Sequence, residues 1–220
     1  MTVQPESIIL EIQYFAPVQY YCKLLSFEKV IIEDSEHYSK GSFRNRCIIA
    51  MSNGVHGLSI PLASGKNQQA DIRDVRPDNG QPWQKNHFRS IRTAYGSAPF
   101  FEHYEDRLLR LFEKKYEFLF DLCLDVQSEI CSMLKLKIEP VFSNEYKKSY
   151  AEEKNLLDFR NKLSPKSCFD QSWDANFLPA RYSQVFEDKN AFLSNLSVLD
   201  LLLCAGPEAK YYLNKSIVKP

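Results

Sequence analysis

The chain has 220 residues, and its 28 basic and 28 acidic side chains cancel, with 44% hydrophobic and 13% aromatic residues. That length and apolar content supply one sizeable core and exclude disorder of the whole chain. A general nucleic-acid binder draws on a basic excess to capture phosphates and release counterions, and the balanced charge offers none.

Residues 1–6 lack the basic region and apolar run of a secretory signal. The longest apolar patches, such as Leu201-Leu202-Leu203-Cys204-Ala205, are too short to cross a bilayer, so no membrane span is expected. The six cysteines, Cys22, Cys47, Cys123, Cys131, Cys168 and Cys204, form no C-x-x-C pair, and none neighbours a histidine at ligand spacing. Reduced, buried thiols and a cytoplasmic location are the expectation, with no metal site.

In chain order, residues 8–12 form an apolar run that reads as a buried strand. Pro17 suits the first turn of a helix carrying Val18, Tyr21, Cys22 and Leu25, and Val30-Ile31-Ile32 reads as a second strand running into Glu33-Asp34-Ser35-Glu36. Asn53-Gly54 then separates two strand-like runs, 43–51 and 56–62, and predicts a two-residue hairpin turn. In that register Ile49 faces Leu58 and Cys47 faces Ile60. Phe43, Asn45, Cys47, Ile49 and Met51 share one face, while Ser42, Arg44, Arg46 and Ile48 share the other.

Residues 63–80 read as a long polar loop around Ile72-Arg73-Asp74-Val75, and Ser64-Gly65-Lys66 within it is only a fragment of a phosphate loop. Pro82 opens a helix that Gly96 stops, with Trp83, His87, Ile91 and Tyr95 on one stripe. Pro99 opens a second helix, and 118–136 is a third, broadly apolar one. Residues 143–170 turn charged and polar and read as an excursion from the core. Asn195 is placed to cap a helix through Leu202 that Gly206 stops, and Pro207 begins a final helix. The expected fold is α+β, a small mixed or antiparallel sheet with its hairpin at Asn53-Gly54, covered by several helices in one domain spanning 1–220.

Several strings together resemble the WbqC-like protein family. They are Gln13-Tyr14-Phe15-Ala16-Pro17-Val18-Gln19-Tyr20, Ser42-Phe43-Arg44-Asn45-Arg46, Ile60-Pro61-Leu62, Ile72-Arg73-Asp74-Val75, Trp83-Gln84-Lys85-Asn86-His87, Tyr95-Gly96-Ser97-Ala98-Pro99-Phe100-Phe101 and Asn195-Leu196-Ser197-Val198-Leu199-Asp200-Leu201-Leu202. One common form of the family has a histidine before Gln-Pro near the N-terminus. Here that stretch reads Leu10-Glu11-Ile12-Gln13-Tyr14, so no role for that histidine carries over, and the pattern looks like the Bacteroidetes-type subgroup. The resemblance implies a place in surface-polysaccharide (O-antigen) assembly, with activated or lipid-linked sugars as substrate class. It defines no mechanism.

Two arginines at strand spacing, Arg44 and Arg46, would leave one face roughly 7 Å apart and grip a diphosphate or carboxylate, with Lys40, Ser42 and Asn45 nearby. Equally, they would pair with Glu33, Asp34 or Glu36. His87 is either an acid–base group lining a cleft or a hydrogen-bonded core residue. Asp74 would orient Arg44 or a substrate hydroxyl, or cap its own turn. Gln13, Tyr14, Trp83 and Tyr95 belong to the motifs, and the aromatic ones would wall a sugar or base or simply pack in the core. The leading expectation is an enzyme acting on an activated sugar or acyl intermediate, with an anionic small molecule such as a nucleotide-sugar or acyl carrier as partner. The alternative is a non-catalytic accessory protein. No cofactor is singled out.

Overall fold

The computed structural model describes residues 5–63 and 70–219. Strand β1 (Ser7–Glu11) is the apolar run Ile8-Ile9-Leu10, all at 0–1% exposure. Burial on both faces is the signature of a parallel strand, and the chain follows the rule. Helix α1 (Val18–Ser26) carries it to β2 (Lys29–Glu33), which lies parallel to β1 with Ser7 opposite Lys29 and Glu11 opposite Glu33. Two short late strands complete the sheet in parallel: β5 (Val141–Phe142) beside β2, and β6 (Leu156–Asp158) beside β1. The order is β5-β2-β1-β6. The polar stretch 143–170 thus contributes a strand to the sheet, where composition alone suggested an excursion.

Between them the chain forms the antiparallel hairpin β3 (Arg46–Met51) and β4 (Gly54–Ser59) and the helices α2 (Trp83–Tyr95), α3 (Phe101–Glu113) and α4 (Leu119–Met133). After β6 come the short α5 (Glu187–Asn190), then α6 (Val198–Ala205) and α7 (Ala209–Lys215). The result is the expected α+β class, with the parallel sheet and the hairpin as separate sheets. One contiguous cluster of buried side chains runs from Ile8 to Leu213.

The hairpin register differs from the expected one. Met51 pairs with Gly54, Ile49 with His56 and Cys47 with Leu58, so Ser52 and Asn53 make the turn. A primed two-residue turn at Asn53-Gly54 needs positive φ at both residues (type I′) or at Asn53 (type II′). Only Gly54 has it, at +117°, where it relieves the strand directly after an unprimed turn.

Residues 43–45 are not in the strand. Gly41 at φ +78° and Ser42, whose Oγ donates to Ser39 O at 2.6 Å and accepts from Arg44 N at 3.4 Å, wind 39–45 into turns. Arg44 and Arg46 therefore do not share a strand face: Arg44 is fully buried and Arg46 is half-buried. At α6 the cap is Ser197, whose Oγ accepts from Leu199 N at 3.3 Å. Asn195, at φ +55°, spends its side chain elsewhere.

Candidate functional site

In open parallel sheets ligands gather beyond the carboxyl ends of the strands, where the strand order reverses. Here the chain leaves β1 for β2 on one side while β6 returns on the other, so the carboxyl end of β1 is that point. The register sets the Glu11 and Glu33 carboxylates side by side there, at 1% and 0% exposure. Adjacent buried like charges repel, so they persist only with cations and donors around them.

The structure supplies these from distant segments. Arg160 donates through Nη1 to Glu33 Oε2 at 2.7 Å and through Nε and Nη2 to the two oxygens of Asp158 at 2.9 and 2.6 Å. The rings of Tyr146 and Tyr150 lie 5.3 and 4.8 Å from its guanidinium carbon. Ser143 donates to Glu33 Oε1 at 2.6 Å. Glu11 accepts from Gln13 Nε2 and from the backbone N–H of Asn161, both at 2.8 Å. Asn161 Oδ1 in turn accepts from Arg44 Nη2 at 2.9 Å, and Arg44 clasps Glu36 with Nε–Oε1 at 2.6 Å and Nη2–Oε2 at 2.5 Å. Glu11, Gln13, Asn161, Arg44 and Glu36 thereby form one buried network.

With the neighbouring Glu33–Arg160 pair, three carboxylates, Glu11, Glu33 and Glu36, and two guanidiniums, Arg44 and Arg160, lie at this edge, all at most 9% exposed. The surplus shows in the ionisation of the pair. Burial raises the pKa of Glu36 against the pull of Arg44, and Glu11 and Glu33 push it further the same way. Burial works against a charged Arg44, but Glu11 first and then Glu36 outweigh it and hold its pKa above the ordinary arginine value. Among the described residues, the buried polar atoms with no hydrogen-bond partner include the donors Arg44 Nη1 and Arg46 Nε and the acceptor Gln13 Oε1. Such atoms are costly to bury unpaired.

The other expected residues distribute unevenly. Lys40 is exposed, and Ser42 and Asn45 serve the loop: Asn45 accepts from Tyr38 OH at 2.9 Å and donates to Ile60 O at 2.8 Å. Tyr14 and His87 form a separate buried pair, with the hydroxyl 3.0 Å from His87 Nδ1 and Trp83 packed edge-on 5.4 Å from the imidazole. Burial drives the pKa of His87 down to about 4, so it stays neutral. Tyr95 accepts from Ala50 N at 3.1 Å inside the core. Asp74 is exposed on a 3-10 turn (Ile72–Asp74), and its neighbour Arg73 is the residue that reaches the sheet edge, bonding Asp34. All six thiols are buried, and burial raises the pKa of each. The fragment Ser64-Gly65-Lys66 lies outside the described residues.

The site's other members, Glu11, Glu33, Arg73, Arg160 and Asn161, were not candidates from sequence, although Glu33 and Glu36 were weighed as structural partners. One signal was available. An acidic residue ends each of the apolar runs 7–11 and 29–33, which is where a parallel sheet presents its carboxyl edge.

The profile of the WbqC-like protein family matches residues 13–179, including Gln13, Glu33, Glu36, Arg44, Arg160 and Asn161. The chain belongs to the WbqC-like protein family. It is similar to the uncharacterized protein Rv1507c of Mycobacterium tuberculosis, 24% identical over 220 residues that cover 90% of this chain and 94% of that protein. No solved structure matches it.

Two strings that carried the family resemblance prove to be each other's partners. Gln19 N and Asn195 Oδ1 bond at 2.9 Å, Asn195 Nδ2 donates to Gln19 Oε1 at 3.0 Å, and Ser197 Oγ donates to Phe15 O at 2.8 Å. The WbqC-like signature around Pro17 is therefore an interlock that fixes the start of α1 against α6. Its near end, Gln13, reaches the polar network. Among the described residues no helix is long and apolar enough to cross a membrane, and no cluster of ligating side chains is arranged to hold a metal ion.

Proposed function

We propose that this WbqC-like protein acts on a sugar-bearing activated intermediate in surface-polysaccharide assembly and holds the sugar at the carboxyl edge of the parallel sheet. The observation that carries the reading is the set of unpaired atoms. Arg44 Nη1 and Arg46 Nε seek acceptors while Gln13 Oε1 seeks a donor. A hydroxyl is both, and a sugar presents several at fixed spacing. A phosphate is a poorer fit, because Glu36 already occupies Arg44 and Glu33 already occupies Arg160. Arg44 is engaged by Glu36, so the anionic part of the intermediate has to be met elsewhere.

The second reading is a non-catalytic binding or accessory protein of the same pathway. It is favoured by the enclosure of the side chains most apt for chemistry: His87 is buried against Tyr14, and all six cysteines are buried.

A thermal-shift panel tests the sugar reading, since a ligand of the native state raises apparent stability. Sugars, sugar phosphates and nucleotide-sugars are compared with their sugar-free counterparts. The expected result is a larger shift for the sugar-bearing member of each pair, with that increment lost in Gln13→Met. Equal shifts within every pair for the wild type would remove the sugar from this edge.

A further inference from the structure

A cavity of about 540 Å³ lies between α2 and α3, within the range of small-ligand sites. Phe88, Leu109 and Phe112 form its apolar floor, with the two phenyl rings 5.7 Å apart. Over that floor α2 sets Lys85, Arg89 and Arg92 on one side, and all three are exposed. Lys85 and Arg89 stand four apart on the helix, where like charges repel. Arg92 has Glu105 at 3.4 Å, whereas Lys85 and Arg89 enter no ion pair among the described residues. With Arg92 paired to Glu105, and Glu113 the single carboxylate lining the cavity, Lys85 and Arg89 leave a surplus of one positive charge.

Cations placed against one another over an aromatic floor are stabilised by a bound anion that also has a flat apolar body. The first turn of α2 adds to this, since it carries neither an acidic residue nor a side-chain cap. We infer that the α2–α3 cavity is a binding site for a phosphate ester with an aromatic body, of the nucleoside diphosphate class, gripped by Lys85 and Arg89 and resting on Phe88 and Phe112. This site is separate from the sheet-edge network in residues and in charge sign, and the inference stands whether or not the edge takes a sugar.

Isothermal titration of the full chain with UDP, ADP and inorganic pyrophosphate tests it. UDP or ADP is expected to bind saturably and more tightly than pyrophosphate, with affinity falling as salt rises. Each lost charge-assisted contact weakens binding about tenfold, so Lys85→Ala/Arg89→Ala weakens it on the order of a hundredfold. Phe88→Ala removes the advantage of the nucleotide over pyrophosphate, and Lys154→Ala changes nothing. Lys85 and Arg89 are exposed, so the double variant keeps its melting temperature and its loss is read as binding. No binding of any of the three, or unchanged binding in the double variant, overturns the inference. So does attachment only to phosphatidylglycerol vesicles that the double variant abolishes. A normal nucleotide titration in Gln13→Met separates this site from the sugar edge.

Discussion

Replacing Arg44 with methionine removes one guanidinium from beneath the sheet edge and keeps most of the stem. The side chain is 0% exposed and donates three hydrogen bonds, two to Glu36 and one to Asn161. Breaking a buried pair from one side costs about 3–5 kcal/mol, because the remaining carboxylate has neither water nor partner. Glu11 adds to the cost, being the largest of the charges that hold Arg44 ionised. Urea unfolding at pH 7 is therefore expected to show a loss of about 3–5 kcal/mol. Removing Glu36 as well, in Arg44→Met/Glu36→Leu, returns part of the loss but not all of it, since Glu11 still lacks the nearby Arg44 charge. Burial already raises the pKa of Glu36 in the wild type, and without Arg44 nothing opposes it. The single variant's deficit should then shrink from pH 7 to pH 5, as the stranded Glu36 takes up a proton in the folded state. A loss under about 1 kcal/mol, or a double variant no better than the single one, would refute the claim that this network is a buried, charge-coupled unit.

Other outcomes follow from buried groups elsewhere in the core. His87 has a folded pKa of about 4, below its ordinary value of 6.5, so the unfolded chain binds the extra proton. Its contribution is complete above pH 6.5 and is lost as pH falls toward 4, and His87→Gln should flatten that limb of a stability–pH profile. Asp200 has the opposite sign: burial raises its pKa from 3.8 to about 6, so its contribution is present below pH 3.8 and lost as pH rises to about 6. Asp200→Asn should remove that loss and leave the His87 limb in place. Gly206 sits at φ +52°, where a Cβ would meet the Phe100 ring at 2.4 Å, so Gly206→Ala should cost more than about 2 kcal/mol in urea unfolding. The buried thiols should react with a disulfide reagent at pH 8 only as fast as the chain opens, and rapid labelling of the native protein would contradict their burial.

Much of the fold was legible because local signals and burial agreed. Pro82 and Gly96 bracket α2, and the unbroken apolar run in β1 marked a strand buried on both faces. The hairpin was located but its register was not, because the turn type depended on which residue took positive φ, and Gly54 took it alone. The edge network was the least legible part. Glu36 and Arg44 are only eight residues apart, but Arg160 and Asn161 lie far along the chain, and only the pairing of β6 beside β1 delivers them to the site. Strand parity placed Arg44 with Arg46, whereas the turn at 39–45 buried Arg44 and gave it to Glu36. From sequence the core reading was the favoured one for Tyr14, His87 and Tyr95, with a site as its alternative; all three are buried, Tyr14 bonding His87 and Tyr95 bonding the Ala50 backbone.

The central claim is that the unpaired atoms of Gln13, Arg44 and Arg46 hold sugar hydroxyls. Side-chain NMR of the arginine Nε–H and glutamine amide signals reads those groups directly, with assignments fixed by Arg46→Lys and Gln13→Met. Titration with UDP-N-acetylglucosamine and UDP-glucose is predicted to shift the Gln13, Arg44 and Arg46 signals beyond any shift from UDP alone. Signals that stay in place with both nucleotide-sugars, or that move equally with UDP, would contradict the account.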